Sequence, residues 1–219
     1  MQRQKLAAVF FAAVIVLGLA ASAGAVDGTI GINQATVIAA GGFPYTIGAS
    51  GSYRLTGNLN SGNTTGAIYV APTLGQVTID LNGFSITGPG APFGGTGVAG
   101  DFATGCTVEN GTVTGFGVVG VLTGNNGIVR NVRATSNGVG IDCSGNGCLI
   151  SDNTVNNNST GIGCGSGCLI SGNTLFNNAF GIQAGDATTG YGGNVLKNTT
   201  TNVSGGTSLK NNVCNGVVC

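Results

Sequence analysis

Asp80, Glu109, Arg130 and Lys197 share one position of an internal repeat, with Ser151 and Ser171 filling the gap. Each neighbours an apolar residue that would point inward, so strand alternation turns this column outward. Asp80 and Glu109 would then lie about one repeat apart, a separation compatible with the carboxylate pair of a retaining glycosidase. Arg130 beside them could bind an acidic sugar. Two carboxylates near an arginine are also the minimum for a polysaccharide lyase, which needs a cation site and a base. Asp80, Glu109 and Arg130 are the candidate catalytic residues on this reading. A simpler account, which the sequence favours, needs no cleft: opposite charges stacked on an exposed sheet face form an ion-pair ladder of modest value.

A second outward column holds Thr112, Arg133, Thr154 and Thr174. Flat rows of Thr, Asn and Gly suit hydrogen bonding to glycans. Carbohydrate platforms also use aromatic rings, and the chain offers few: Phe93, Phe102 and Tyr191, placed in loops. Arg133, Thr112, Thr154, Thr174 and Tyr191 are therefore the candidate ligand-binding residues. A Thr ladder would also suit an ice surface, but Arg133 interrupts it.

These columns exist only if the chain stacks on itself. Four segments align without gaps, "CTVENGTVTGFGVVGV" from Cys106, "GIVRNVRATSNGVGID" from Gly127, "CLISDNTVNNNSTGIG" from Cys148 and "CLISGNTLFNNAFGIQ" from Cys168, with starts 21, 21 and 20 residues apart. A looser copy starts at Asn194, and "VTIDLNGFSITG" from Val77 precedes the set. Val108, Val129, Ile150 and Ile170 form one apolar column, which Leu196 continues on this alignment. Asn137, Asn158 and Asn178 form another, and Gly140, Gly161 and Gly181 each precede an Ile. No copy is long enough for two helices, while Val, Ile and Thr favour strands and Gly and Asn favour tight turns. About 20 residues make three short strands and three turns, one coil of a solenoid. Stacked coils pair backbone groups at roughly 4.8 Å, bury the apolar columns, and allow the Asn columns to form amide ladders.

The predicted fold is all-β, a single-stranded parallel β-helix of six to seven coils of 20–21 residues. An amino-terminal cap and first coil are expected over 26–63 and the solenoid over 64–219. Two intervals exceed the period, 29 residues from Val77 to Cys106 and 26 from Cys168 to Asn194. They predict inserted loops at Gly88–Gly105 and Gly185–Gly193.

"GSYRLTGNL", "VTIDLNGFSITG", "CTVENGTVTGF" and the Gly-Ile/Asn repeats resemble the secreted right-handed parallel β-helix repeat proteins of bacteria. Those share a fold with pectate lyases and polygalacturonases, and the resemblance implies that fold over nearly all of the chain after its first 25 residues. The N-T-D, paired Asp and G-H-D motifs of the polygalacturonases are missing here, as is the acidic calcium cluster of the lyases.

The first residues read as a secretory signal peptide: Arg3 and Lys5, then "LAAVFFAAVIVLGLA", then small residues, with cleavage expected after Ala25. Beyond Ala25 the chain carries five basic against seven acidic residues. That balance lacks the clustered cations of a nucleic-acid footprint, and no other segment could span a membrane. Seven Cys in a secreted chain predict disulfides with one left over. Close pairs suggest Cys143–Cys148, Cys164–Cys168 and Cys214–Cys219, leaving Cys106 alone. The rival joins Cys143 to Cys164 and Cys148 to Cys168 between coils. A zinc site is a third reading, weakened by the absence of His and by an oxidising compartment; neither a metal nor a cofactor is expected. The expectation for function is a secreted, non-catalytic scaffold, periplasmic or extracellular, binding polysaccharide or a surface partner. The alternative is a small polysaccharide lyase or glycoside hydrolase using Asp80, Glu109 and Arg130.

Overall fold

A computed structural model describes residues 28–62, 65–90, 92–198 and 200–219; the expected signal peptide, 1–25, lies outside them. The chain winds into a parallel β-solenoid of about nine turns. The predicted six to seven coils undercount because the first turns carry little of the motif.

A complete turn contributes a strand to each of three faces. Face 1 runs from Thr29–Ile32 through Gly51–Leu55, Val77–Asp80, Leu149–Ser151 and Leu169–Ser171 to Gly190–Gly192 and Thr207–Ser208. Face 2 runs from Leu59–Asn60 through Ser85–Thr87, Thr154–Asn156 and Thr174–Phe176 to Val195–Lys197 and Val213–Cys214. In the middle turns, Thr107–Thr114 and Ile128–Thr135 each span both faces without a break, so faces 1 and 2 form one 16-stranded sheet. Face 3 is a separate eight-stranded sheet from Tyr45–Ile47 to Thr201–Ser204.

Registry makes the core continuous, because parallel pairing places like positions above one another. Tyr53, Ile79, Val108, Val129, Ile150 and Ile170 line face 1 from inside. Leu59, Ile86, Val113, Ala134, Val155, Leu175 and Leu196 line face 2. Val98, Val121, Ile141, Ile162 and Ile182 line face 3. Leu196 therefore continues the column of Leu175, not that of Ile170, whose partner is Tyr191. The copy aligned at Asn194 was five residues out of step, since Leu169 pairs with Gly190. Gly190–Gly192 is thus a face 1 strand, and the predicted insertion at Gly185–Gly193 disappears. The long turn after Val77 is real, but its surplus is split among the three corners rather than gathered in one loop.

Two Asn ladders, buried except at Asn198, hold the corners. Asn137, Asn158, Asn178 and Asn198 follow one another where face 2 turns into face 3; each accepts the backbone N–H one coil earlier, as in Asn137 N to Asn158 Oδ1 at 2.8 Å. Asn153, Asn173, Asn194 and Asn212 do the same between faces 1 and 2, and this second ladder was not foreseen. The Gly column makes room for the first ladder. A Cβ on Gly140 would lie 2.7 Å from Gly161 O and 2.9 Å from Asn158 Nδ2. The requirement is for space, not for a positive φ.

In the first turn a helix, Gln34–Ala39, stands where later turns carry face 2. Asn33 caps it through a reciprocal box with Thr36. Gln34 accepts from Asn60 N at 2.9 Å and donates to Asn60 O at 3.2 Å. One side chain thereby satisfies backbone groups that an open sheet edge would leave exposed to pairing.

Candidate functional site

The outward column of face 1 contains Arg54, Asp80, Glu109, Arg130, Ser151 and Ser171 in consecutive registry. Arg54 was not anticipated. Lys197 does not belong to the column: it pairs with Phe176 on face 2, its Nζ 6.0 Å from the ring centroid. Asp80 Oδ2 accepts from Arg54 Nε at 3.0 Å, while Oδ1 accepts from Asn82 N at 2.8 Å and Asn110 Nδ2 at 3.1 Å. Glu109 Oε2 accepts from Arg130 Nε at 2.6 Å. Both carboxylates are thus engaged with cations, and both arginines are half exposed. Neither carboxylate lines a groove described below. The column has the form of two ion pairs on the outer side of face 1.

Three of the binding candidates do meet. Thr112, Arg133 and Thr154 stack in registry on the outer side of face 2. They line an open groove of about 310 Å³ with Asn110, Asn131 and Asp152. Its rim is built by the corner: Asn110, Asn131 and Asp152 adopt left-handed φ of 61°, 53° and 57°, a conformation short polar side chains tolerate. Arg133 is exposed, and among the described residues no carboxylate lies within ion-pair distance of it. Thr174 continues the row above Thr154, beyond the groove. Tyr191 is a correction: it stands above Ile170 in the inward column and packs on the core instead of offering a ring from a loop.

A larger trough of about 760 Å³ follows the other edge of face 2. Ser136, Asn157, Asn177 and Ala179 line part of it. Face 2 also carries a second outward row, Thr87, Thr114, Thr135, Asn156, Phe176 and Lys197, which the sequence reading missed. Its signal was present as the period-2 partner of Thr112 and Arg133. Phe93 and Phe102 are exposed as expected, and Phe93 lines a third hollow of about 500 Å³.

The cysteines pair locally: Cys143–Cys148, Cys164–Cys168 and Cys214–Cys219, with Cys106 free and buried. Burial pushes the Cys106 thiol up to about 12, so it stays protonated and inert. Cys143, Cys148, Cys164 and Cys168 place their four sulfurs within 4.8 Å of one another. As disulfides they have no thiolate to give a cation, and Gly124 O lies 3.3 and 3.2 Å from the Cys143 and Cys148 sulfurs. A carbonyl there opposes the negative charge that a metal-bound thiolate carries. Three disulfides fit an oxidising compartment. No helix among the described residues is long and apolar enough to cross a membrane.

No family model, curated protein or solved structure matches the chain.

Proposed function

We propose that this chain is a secreted, non-catalytic β-solenoid, working in the periplasm or outside the cell, whose face 2 binds a polysaccharide or a glycan-bearing surface. The observation that carries this reading is Arg133, a guanidinium with no ionic partner among the described residues, set in a groove between Thr112 and Thr154. Arg130, by contrast, is spent on Glu109. Guanidinium binds carboxylate or sulfate groups in a bidentate fashion. The flanking threonine hydroxyls can donate to and accept from sugar hydroxyls. β-Branched side chains on a rigid sheet lose little rotamer freedom on binding, which favours a weak, extended contact.

A glycan array followed by calorimetry tests this. The native chain should bind acidic glycans, and Arg133→Gln should weaken binding about tenfold, the loss of about 1.4 kcal/mol, without lowering the melting temperature. Binding indifferent to Arg133→Gln would overturn the site. Release of unsaturated sugars or new reducing ends, abolished by Glu109→Gln, would overturn the non-catalytic reading in favour of the lyase or hydrolase alternative.

A further inference from the structure

The four clustered sulfurs on face 3 and its corner admit more than one covalent arrangement. Cys143 and Cys164 are direct registry partners in adjacent coils. Cys148 and Cys168 precede another registry pair, Leu149 and Leu169. Parallel neighbours lie about 4.8 Å apart, within the Cα range that a disulfide spans, roughly 4.4–6.8 Å. The bonds within each coil bridge 6.6 and 6.7 Å, at the other end of that range. With all four sulfurs within 4.8 Å of one another, side-chain rotation can exchange one pairing for the other while the backbone stays in place.

We propose that this cluster is a thiol-triggered exchange site that converts two staples within coils into two staples between coils, Cys143–Cys164 and Cys148–Cys168. The step conserves electrons, and a small monothiol is regenerated. Its thiolate attacks Cys164 Sγ, breaks the Cys164–Cys168 bond and releases the Cys168 thiolate. Cys168 attacks Cys148 Sγ, forms Cys148–Cys168 and frees Cys143. Cys143 attacks Cys164 Sγ, forms Cys143–Cys164 and expels the monothiol as thiolate. The trigger must come from outside. Cys106, the free thiol among the described residues, is buried two coils below Cys148 with Thr123 and Gly127 between. Cys164 is the natural point of entry, being the most accessible of the four at 6% exposure.

The exchange changes what the bonds resist. Bridges spanning 5 and 4 residues fix one corner each. Bridges between coils would close loops of about 20 residues, which restrict the unfolded chain more strongly, and would tie two turns against peeling apart.

The readout is direct because Asp142 and Asp152 flank the first pair. The oxidised full chain is incubated with substoichiometric glutathione, alkylated, and digested without reduction by a protease that cleaves beside aspartate. Bonds within coils leave the Cys143–Cys148 peptide separate from the one carrying Cys164 and Cys168; bonds between coils join them. Joined peptides that grow with glutathione, together with a melting temperature raised by a few degrees, are the expected result. Peptides that stay separate at every glutathione level while the chain remains folded would overturn the proposal. Cys148→Ser/Cys168→Ser supplies a second measurement on which exchange kinetics have no bearing. Its two remaining cluster cysteines should oxidise to one bond between coils, leaving one free thiol by titration. Three free thiols in a folded chain would refute the geometry.

Discussion

Asn158→Ala tests whether the Asn ladders are structural members or ornaments of the corner. Asn158 is buried, and its Oδ1 accepts Asn137 N at 2.8 Å. Its Nδ2 donates to Ala134 O at 3.2 Å, Asn156 O at 2.9 Å and Asn178 Oδ1 at 2.9 Å. Truncation strands the Asn137 N–H in the interior, a penalty of about 1–3 kcal/mol. It also removes donors from two carbonyls at about 0.5–1.5 kcal/mol each, part of which water entering the corner restores. The expected loss is about 3–4 kcal/mol. For a chain of this size the urea slope is about 2 kcal/mol/M, so the midpoint should fall by about 1.5–2 M. Amide exchange adds a local readout, since protection at Asn137 should drop more than at Val129 on face 1. Asn158→Asp separates hydrogen bonding from volume. It fills the same space but at neutral pH aims carboxylate oxygen at Ala134 O and Asn156 O, and should destabilise at least as much. A midpoint shift below about 0.5 M for Asn158→Ala, with the Asn137 amide still protected, would refute the reasoning.

The face 1 ion pairs should matter far less. Glu109→Gln breaks a contact whose arginine is 52% exposed, so the expected loss is under about 1 kcal/mol in the same titration; a loss above about 2 kcal/mol would mean the ladder carries part of the fold. Asp142 is a sharper electrostatic case. It lies between Leu122 and Gly163 on face 3, and burial raises its carboxyl above the usual aspartate range. The folded chain therefore holds this proton more tightly than the unfolded chain. Its contribution is fully present below the unfolded value of about 3.9 and is lost as pH rises through the raised folded value. Asp142→Asn should consequently gain stability relative to the native chain between pH 3 and 7, measured by urea midpoints across that range. A pH-independent difference would count against the assignment.

The solenoid was legible because four consecutive turns repeat nearly letter for letter, and a period is visible only where turns are alike. Where they differ, the reading failed in specific ways. The segment at Asn194 was matched on "NVLK" to the wrong face, because Val195–Lys197 on face 2 repeats the order of two apolar residues and one polar residue found in the face 1 strands Leu149–Ser151 and Leu169–Ser171. That single slip misplaced Leu196 and Lys197 and invented a loop. The first turns were undercounted because they carry little of the motif, and in the first of them a helix replaces the face 2 strand. Tyr191 reads as a loop aromatic beside its glycines, yet registry with Ile170 decides its place. The ion pairs were legible as a stacked column, whereas the absence of a partner for Arg133 among the described residues depends on where neighbouring side chains end, which spacing does not encode.

The two ladders begin where the sequence changes character, and their polarity explains why. Phe116 donates its N–H to Asn137 Oδ1 at 3.0 Å, and Val132 donates to Asn153 Oδ1 at 2.9 Å. Each first asparagine thus stands on a coil whose own corner residue is apolar and fully buried. Because every Asn serves the coil before it, a ladder can start on an apolar turn with no polar group left over. At its other end the first ladder closes locally, Asn198 N donating to Asn202 Oδ1 at 3.0 Å only four residues on. After Asn212 the chain turns back antiparallel, Val213–Cys214 against Val217–Val218, and Cys214–Cys219 closes the reversal. At the amino-terminal end a side-chain cap suffices, with the Gln34 amide serving both backbone groups of Asn60. The carboxy-terminal end, toward which the ladders' backbone donors point, ends instead in a change of strand direction held by a covalent bond.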